Sequence, residues 1–197
     1  MKQHKRLPLA LLLVFALCIQ TLSFTSAAAA LADPEPVFSA SDMTFSSGTD
    51  AVALPQSAVT QLSGLSSGTI IVDFTPTAMS TANCLFSLSN SSVADAYFNL
   101  YIDSRGFLGL EVRNHGETRY VNLQGPAEVT RNTRHIMALS ADPQEGYKFY
   151  FDGDMVFQMP VALYELWAYD YRFMSTVNSA DVGYMGATYR NGAFGYP

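Results

Sequence analysis

Little cysteine, little lysine and a single long apolar run set the first limits on this chain. Its 197 residues hold two cysteines, Cys18 and Cys84. Cys18 lies inside the apolar run Leu7–Phe24, which follows a basic start (Lys2, Lys5, Arg6) and leads into the small-residue stretch Thr25–Ala32. Those three parts in that order are a secretory signal peptide, with cleavage expected after Ala32 at Ala30-Leu31-Ala32. Leu17 before Cys18 is too large for a lipoprotein anchor. The mature chain then starts at Asp33 and keeps Cys84 alone, so no internal disulfide forms and the exported domain must be held by its core. Cys84, in Cys84-Leu85-Phe86, reads as a buried small hydrophobe rather than a reactive thiol. The three histidines have no ligand spacing, and no metal or cofactor is expected.

Positive charge is as scarce. Residues 1–32 take three bases and no acid, leaving eight bases against 17 acids, a net charge of −9 against −6 for the whole chain. The only lysine left is Lys148, beside seven arginines. Binding to nucleic acid needs clustered positive charge, which this chain lacks, and attachment to anionic lipid is disfavoured for the same reason. No second apolar run approaches the roughly 20 residues of a membrane span. The expectation is a secreted, extracellular protein with no membrane insertion after signal cleavage.

The pattern that is present is strand after strand. After a Pro-containing, mobile leader at 33–42, stretches rich in Val, Ile, Phe, Tyr and Thr alternate with Gly, Asp, Asn, Ser and Pro. Strands are predicted at 43–46, 51–54, 69–75, 84–90, 96–103, 107–113, 118–123, 135–141, 147–152, 155–159 and 181–188, with one helical turn at 57–65. The aromatic-rich stretch 161–171 has no clear assignment. This spacing predicts one all-β domain over 43–197, an antiparallel β-sandwich.

Residues 96–123 carry the most information. Phe98, Leu100 and Ile102 alternate with Tyr97, Asn99 and Tyr101; Leu108, Leu110 and Val112 alternate with Gly109, Glu111 and Arg113. Period two predicts one buried and one free face. A two-residue loop would set Leu100 against Glu111, mixing the faces. The three-residue loop Ser104-Arg105-Gly106, with glycine in the left-handed position, sets Leu100 against Leu110, Tyr101 against Gly109, Asn99 against Glu111 and Tyr97 against Arg113. A second three-residue loop at Asn114-His115-Gly116 would set Arg113 against Glu117 and Glu111 against Arg119. The free face then carries Glu111, Arg113, Glu117 and Arg119 flanked by tyrosines and Asn99, with a dent at Gly109. Opposite charges across a strand pair are ordinary sheet stabilisers, about 0.2–1 kcal/mol each, so the pattern alone leaves a structural and a ligand-binding reading open. For a ligand, an arginine fork suits a carboxylate, glutamate accepts from hydroxyls or an amide, and tyrosine covers apolar parts of a sugar.

Five segments in order, Gly68–Phe74, Leu85–Asn90, Tyr97–Ile102, Gly109–Arg113 and Ala187–Gly192, resemble the lectin-like domain N-terminal to bacterial sialidases, carbohydrate-binding module family 40. The resemblance covers nearly the whole mature chain. It implies a concanavalin A-like jelly roll that binds sialic acid on its concave sheet and has no catalytic residues. Carried over by position, Arg113 and Arg190 hold the sialic acid carboxylate, Glu111 accepts hydrogen bonds from the sugar, and Tyr101 and Tyr196 are aromatic contacts. An apolar contact falls within 77–83, with Met79 as its nominal residue. In the family, the equivalent of Tyr196-Pro197 precedes a closing strand that is not in this sequence, and the Asp-box repeats and Arg-Ile-Pro motif of the sialidase propeller are also missing. The resemblance therefore implies a fragment whose full-length form carries a covalent sialidase catalytic domain and whose partners are sialylated glycans, the module targeting the secreted enzyme to them.

Two other classes share the fold. A concanavalin-like glycoside hydrolase needs two carboxylates flanking one bond; the pattern for it is Glu-x-Asp-x-x-Glu, and here Glu111 is followed by Arg113 where the Asp belongs. Asp152-Gly153-Asp154 reads as a hairpin turn rather than a calcium site. A laminin-G-like adhesion sandwich remains the other alternative. The charge of −9 opposes an anionic ligand only at a distance, since charges beyond about 8 Å are largely screened at physiological salt.

Overall fold

The structure, a computed structural model, describes residues 36–41, 43–45, 50–79, 82–167 and 170–195. The expected signal peptide, residues 33–35 and 42 of the leader, and Tyr196 lie outside the described residues. Twelve strands occur among those described: β1 (Val52–Ala53), β2 (Gly68–Phe74), β3 (Asn83–Ser89), β4 (Tyr97–Ile102), β5 (Leu108–Arg113), β6 (Val121–Gly125), β7 (His135–Asp142), β8 (Gly146–Phe151), β9 (Asp154–Met159), β10 (Val182–Met185), β11 (Thr188–Arg190) and β12 (Ala193–Gly195). Helix α1 (Gln56–Leu62) buries Ala58, Val59 and Leu62. The ambiguous stretch after β9 is a 3-10 turn (Val161–Leu163) running into α2 (Tyr164–Trp167).

Two antiparallel sheets carry the fold, one of six strands in the order β1-β10-β3-β4-β5-β6 and one of four in the order β2-β7-β8-β9. Their alternating residues meet in a shared core. Leu88, Phe98, Leu100, Leu110, Val112 and Val121 come from the larger sheet, and Val72, Met137, Leu139 and Phe149 from the smaller. Each fully buried side chain of this size stabilises by roughly 1.5–3 kcal/mol. Phe98 makes edge contacts with Phe86 (centroids 6.0 Å) and Phe173 (5.5 Å). This is the antiparallel sandwich that the strand spacing predicts.

The β4–β5 hairpin has the derived register: Leu100 faces Leu110, Tyr101 Gly109, Asn99 Glu111 and Tyr97 Arg113. Gly106 takes φ 85°, the left-handed position the loop needs. The next connection does not. β6 starts at Val121, opposite Val112, and Glu111 faces Asn122. The expected register would have turned Val121 and Leu123 outward and set Asn122 against Leu108. Burial of Val121 and Leu123 wins, and the connection lengthens to 114–120.

Three further expectations are corrected. Residues 43–45 form no strand. The single strand expected at 181–188 is two, β10 and β11, separated by a bend at 186–187, and β11 pairs with the unforeseen β12. The outer face of β4 is not free: all six of its residues are buried. Its cover is the β11–β12 hairpin, which lies across β3 and β4. Ser87 Oγ donates to Ala187 O (2.8 Å), Ser89 Oγ to Tyr189 O (2.5 Å) and Thr188 Oγ1 to Asn99 Oδ1 (3.0 Å).

Candidate functional site

The outer face of the larger sheet is built by three neighbouring strands and one crossing segment. Tyr97, Asn99 and Tyr101 stand in line on β4, and Gly109, Glu111 and Arg113 in line on β5. Arg113 Nε donates to Glu111 Oε1 at 2.6 Å. The carboxylate side chain is 6 % exposed and the guanidinium side chain 36 %. Arg113 also lies over the Tyr120 ring, 4.0 Å from its centroid. Burial pulls the Arg113 pKa down, but the hydrogen bond and charge of Glu111 outweigh it and raise it, so the guanidinium stays charged at any working pH. Of the Arg113 guanidinium, Nε is the atom bonded to Glu111. Among the described residues nothing else hydrogen-bonds the fork, which leaves its two terminal nitrogens for a ligand.

Arg190 reaches the same place from the far end of the chain. Its guanidinium lies over the Tyr97 ring, 4.6 Å from the centroid, and Nη1 donates to Ala94 O at 3.3 Å. Tyr97 is the cross-strand partner of Arg113, and Cβ atoms so paired are about 4.5–5.5 Å apart. The two arginines thus share one tyrosine, Arg113 beside it and Arg190 above it. Tyr97 is 2 % exposed and acts as a floor.

Tyr101 lies four residues along β4 from Tyr97, about 13 Å at strand rise. The dent at Gly109 is filled by its ring: a Cβ built on Gly109 would stand 2.3 Å from Tyr101 Cζ. Burial raises the pKa of its hydroxyl, against a hydrogen bond with Gln124 that lowers it. Tyr196 lies outside the described residues. Of the loop 77–83, Met79 packs partly buried against the core. The structure thus brings Arg113, Glu111 and Arg190 together, with Tyr101 at the other end of the same face.

Glu117 and Arg119 do not join them, contrary to the sequence expectation. Glu117 is held by Arg172 and by Asn114 Nδ2 (2.5 Å), contacts that hold its carboxyl below the usual range. Arg119 pairs with Asp170 (3.0 Å) and Glu165 (3.4 Å). These partners lie about fifty residues downstream and leave no local signal. Tyr97 is visible in the sequence only as the cross-strand neighbour of Arg113, and the expected register sets Tyr120 against Leu110 on the core side. Their role as rings beneath the two guanidinium groups needed the fold.

One other cluster has the elements of a proton relay. Thr130 Oγ1, His135 and Asp152 stand in series, with His135 Nδ1 2.8 Å from Asp152 Oδ2. The Thr130 N–H donates to His135 Nε2 (3.1 Å), which assigns that nitrogen's lone pair and leaves no free base. The cluster is a tie between β7 and the β8–β9 turn. Among the described residues no group of three or more His, Cys, Asp or Glu could hold a metal ion. No helix among them is long and apolar enough to cross a membrane.

Comparison with known proteins gives three findings. A family model described as the sialidase N-terminal domain matches residues 44–197. The anhydrosialidase of Macrobdella decora is 26 % identical over 141 residues, covering 68 % of this chain and 18 % of that protein, so the chain spans under a fifth of this curated relative. The CBM40 of the Ruminococcus gnavus IT-sialidase bound to α2,3 sialyllactose is similar with a TM-score of 0.72 and 26 % identity, covering 82 % of this chain and 85 % of that one. The same module bound to α2,6 sialyllactose gives a TM-score of 0.62 over 72 % and 76 %.

Proposed function

The chain belongs to the sialidase N-terminal domain family, and from that premise we propose that it is a non-catalytic module binding terminal sialic acid at Arg113, Arg190 and Glu111. The observation that carries the reading is the pair of arginines on either side of Tyr97, one anchored by a buried glutamate and the other by a backbone carbonyl. Two guanidinium groups against one carboxylate leave a local positive charge, which suits a ligand bearing a single carboxylate. Glu111 orients Arg113, and its carboxylate is of the chemistry that accepts from a ligand hydroxyl or amide. Tyr101 lies in the direction the body of the sugar would take, and Tyr196 is kept as a second aromatic contact. The R. gnavus module bound to sialyllactose supports this ligand class.

We further propose that a signal peptide ending at Ala32 exports the chain and that the full-length protein joins the module to a sialidase catalytic domain, which the module targets to sialoglycans. Titration of the protein with 3′-sialyllactose tests the binding. Arg113→Ala removes a charge-assisted contact worth about 1.5–3 kcal/mol, so affinity is expected to fall roughly 10–150-fold. Unchanged binding by this variant would remove Arg113 from the site. Absence of binding by the unaltered protein would sink the ligand assignment.

A further inference from the structure

Asn99 has no part in the reading above, yet its position is costly. It is fully buried, and its Nδ2 has no hydrogen-bond partner among the described residues. A buried donor without a partner destabilises, and an apolar residue of similar size would avoid that cost. What Asn99 does make is one bond: Thr188 Oγ1 donates to its Oδ1 at 3.0 Å, with Cys84 Sγ 3.6 Å from the same hydroxyl. Thr188 is also fully buried.

The spacing explains why this bond matters. Tyr97 and Asn99 are consecutive outward residues of β4. Thr188 and Arg190 are consecutive residues on one side of β11, since side chains alternate along a strand. The two pairs meet in antiparallel order, Asn99 with Thr188 and Tyr97 with Arg190. The serine bonds to Ala187 O and Tyr189 O hold the backbone of β11 to β3. The Asn99–Thr188 bond ties a β11 side chain to β4, the strand that pairs with Arg113, one step along from the Arg190–Tyr97 contact.

We propose that Asn99 and Thr188 are positioning residues that set the register of β11 on β4 and so place Arg190 over Tyr97, within reach of the same carboxylate as Arg113. Neither touches the ligand; both act through Arg190. The inference rests on the sialic acid reading for its functional meaning, but the placement of Arg190 is a separate physical claim.

The test is a cycle read by 3′-sialyllactose titration. Thr188→Val keeps the shape and removes the hydroxyl; affinity is expected to fall about tenfold, whereas Thr188→Ser stays within about twofold of the parent. In an Arg190→Ala background Thr188→Val should cost nothing more, because the group it positions is gone. Multiplicative losses, or parental affinity in Thr188→Val, overturn the proposal. A crystal structure of Thr188→Val gives the arm that needs no ligand. Displacement of the Arg190 guanidinium from the Tyr97 ring supports the claim, and an unchanged 4.6 Å contact overturns it. That arm decides the inference even where the parent protein fails to bind sialyllactose, a result that counts against the sialic acid reading alone.

Discussion

Gly109→Ala tests the packing beneath the site directly. The added Cβ would lie 2.3 Å from Tyr101 Cζ and 2.6 Å from Cε1 and Cε2. Carbon atoms rest about 3.5–4.0 Å apart, so the ring must retreat by more than an ångström. Tyr101 is 6 % exposed and has little room to do so. Overpacking of this kind costs about 1–3 kcal/mol. Gly109 is not among the positive-φ glycines, so alanine fits the strand and returns about 0.5–1 kcal/mol of backbone entropy. The net expectation is destabilisation of roughly 0.5–2 kcal/mol, a fall in Tm of about 1–8 °C at this chain length. The assay is thermal melting with urea unfolding as a check, beside sialyllactose titration, where the displaced ring should also weaken binding. Tyr101→Ala combined with Gly109→Ala should show the clash relieved, the double variant being more stable than the sum of the single losses. If Gly109→Ala is as stable as the parent, Tyr101 does not rest on Gly109 and the description of this end of the face is wrong.

Other consequences can be measured independently. Burial pushes the Cys84 thiol up to about 12, so it should not react with a disulfide reagent at pH 8 until the chain is unfolded; prompt labelling of the native protein would contradict its burial under Thr188. The Asp152 carboxyl is held low first by the Ile136 N–H and then by His135. A carboxyl lowered on folding contributes stability above its unfolded value of about 3.9 and loses it as the pH falls through the folded value. Asp152→Asn should therefore destabilise the protein at pH 7 and converge with the parent as the pH falls through the folded value, and parallel urea midpoints at all pH values would refute the tie.

Legibility of this fold followed sequence distance. The β4–β5 register was readable because every constraint on it is local: two period-two runs, a three-residue loop and a glycine at φ 85°. The β5–β6 register was misread though its cue, Val121 and Leu123, was in view, because Glu117 and Arg119 offered a plausible charge pairing. Their actual partners, Arg172 and Asp170, are visible only when the chain has folded. The β11–β12 hairpin was missed because three-residue strands carry too few side chains to show a period. Its contacts with Tyr97 and Asn99 help turn a face that reads as free into a buried one.

The sequence by itself determined the all-β sandwich, the pairing of Glu111 and Arg113 on one face, and the family resemblance, since alternation, turn chemistry and ordered motifs act over a few residues. Only the tertiary structure decided that Arg190 meets Arg113 across Tyr97. That encounter joins residues 77 positions apart, and it depends on buried and half-buried hydrogen bonds from Ser87, Ser89 and Thr188 that hold one strand across two others. Local patterns specify strands and faces; which distant segment covers a face is set by packing and by hydrogen bonds that must be satisfied once water is gone.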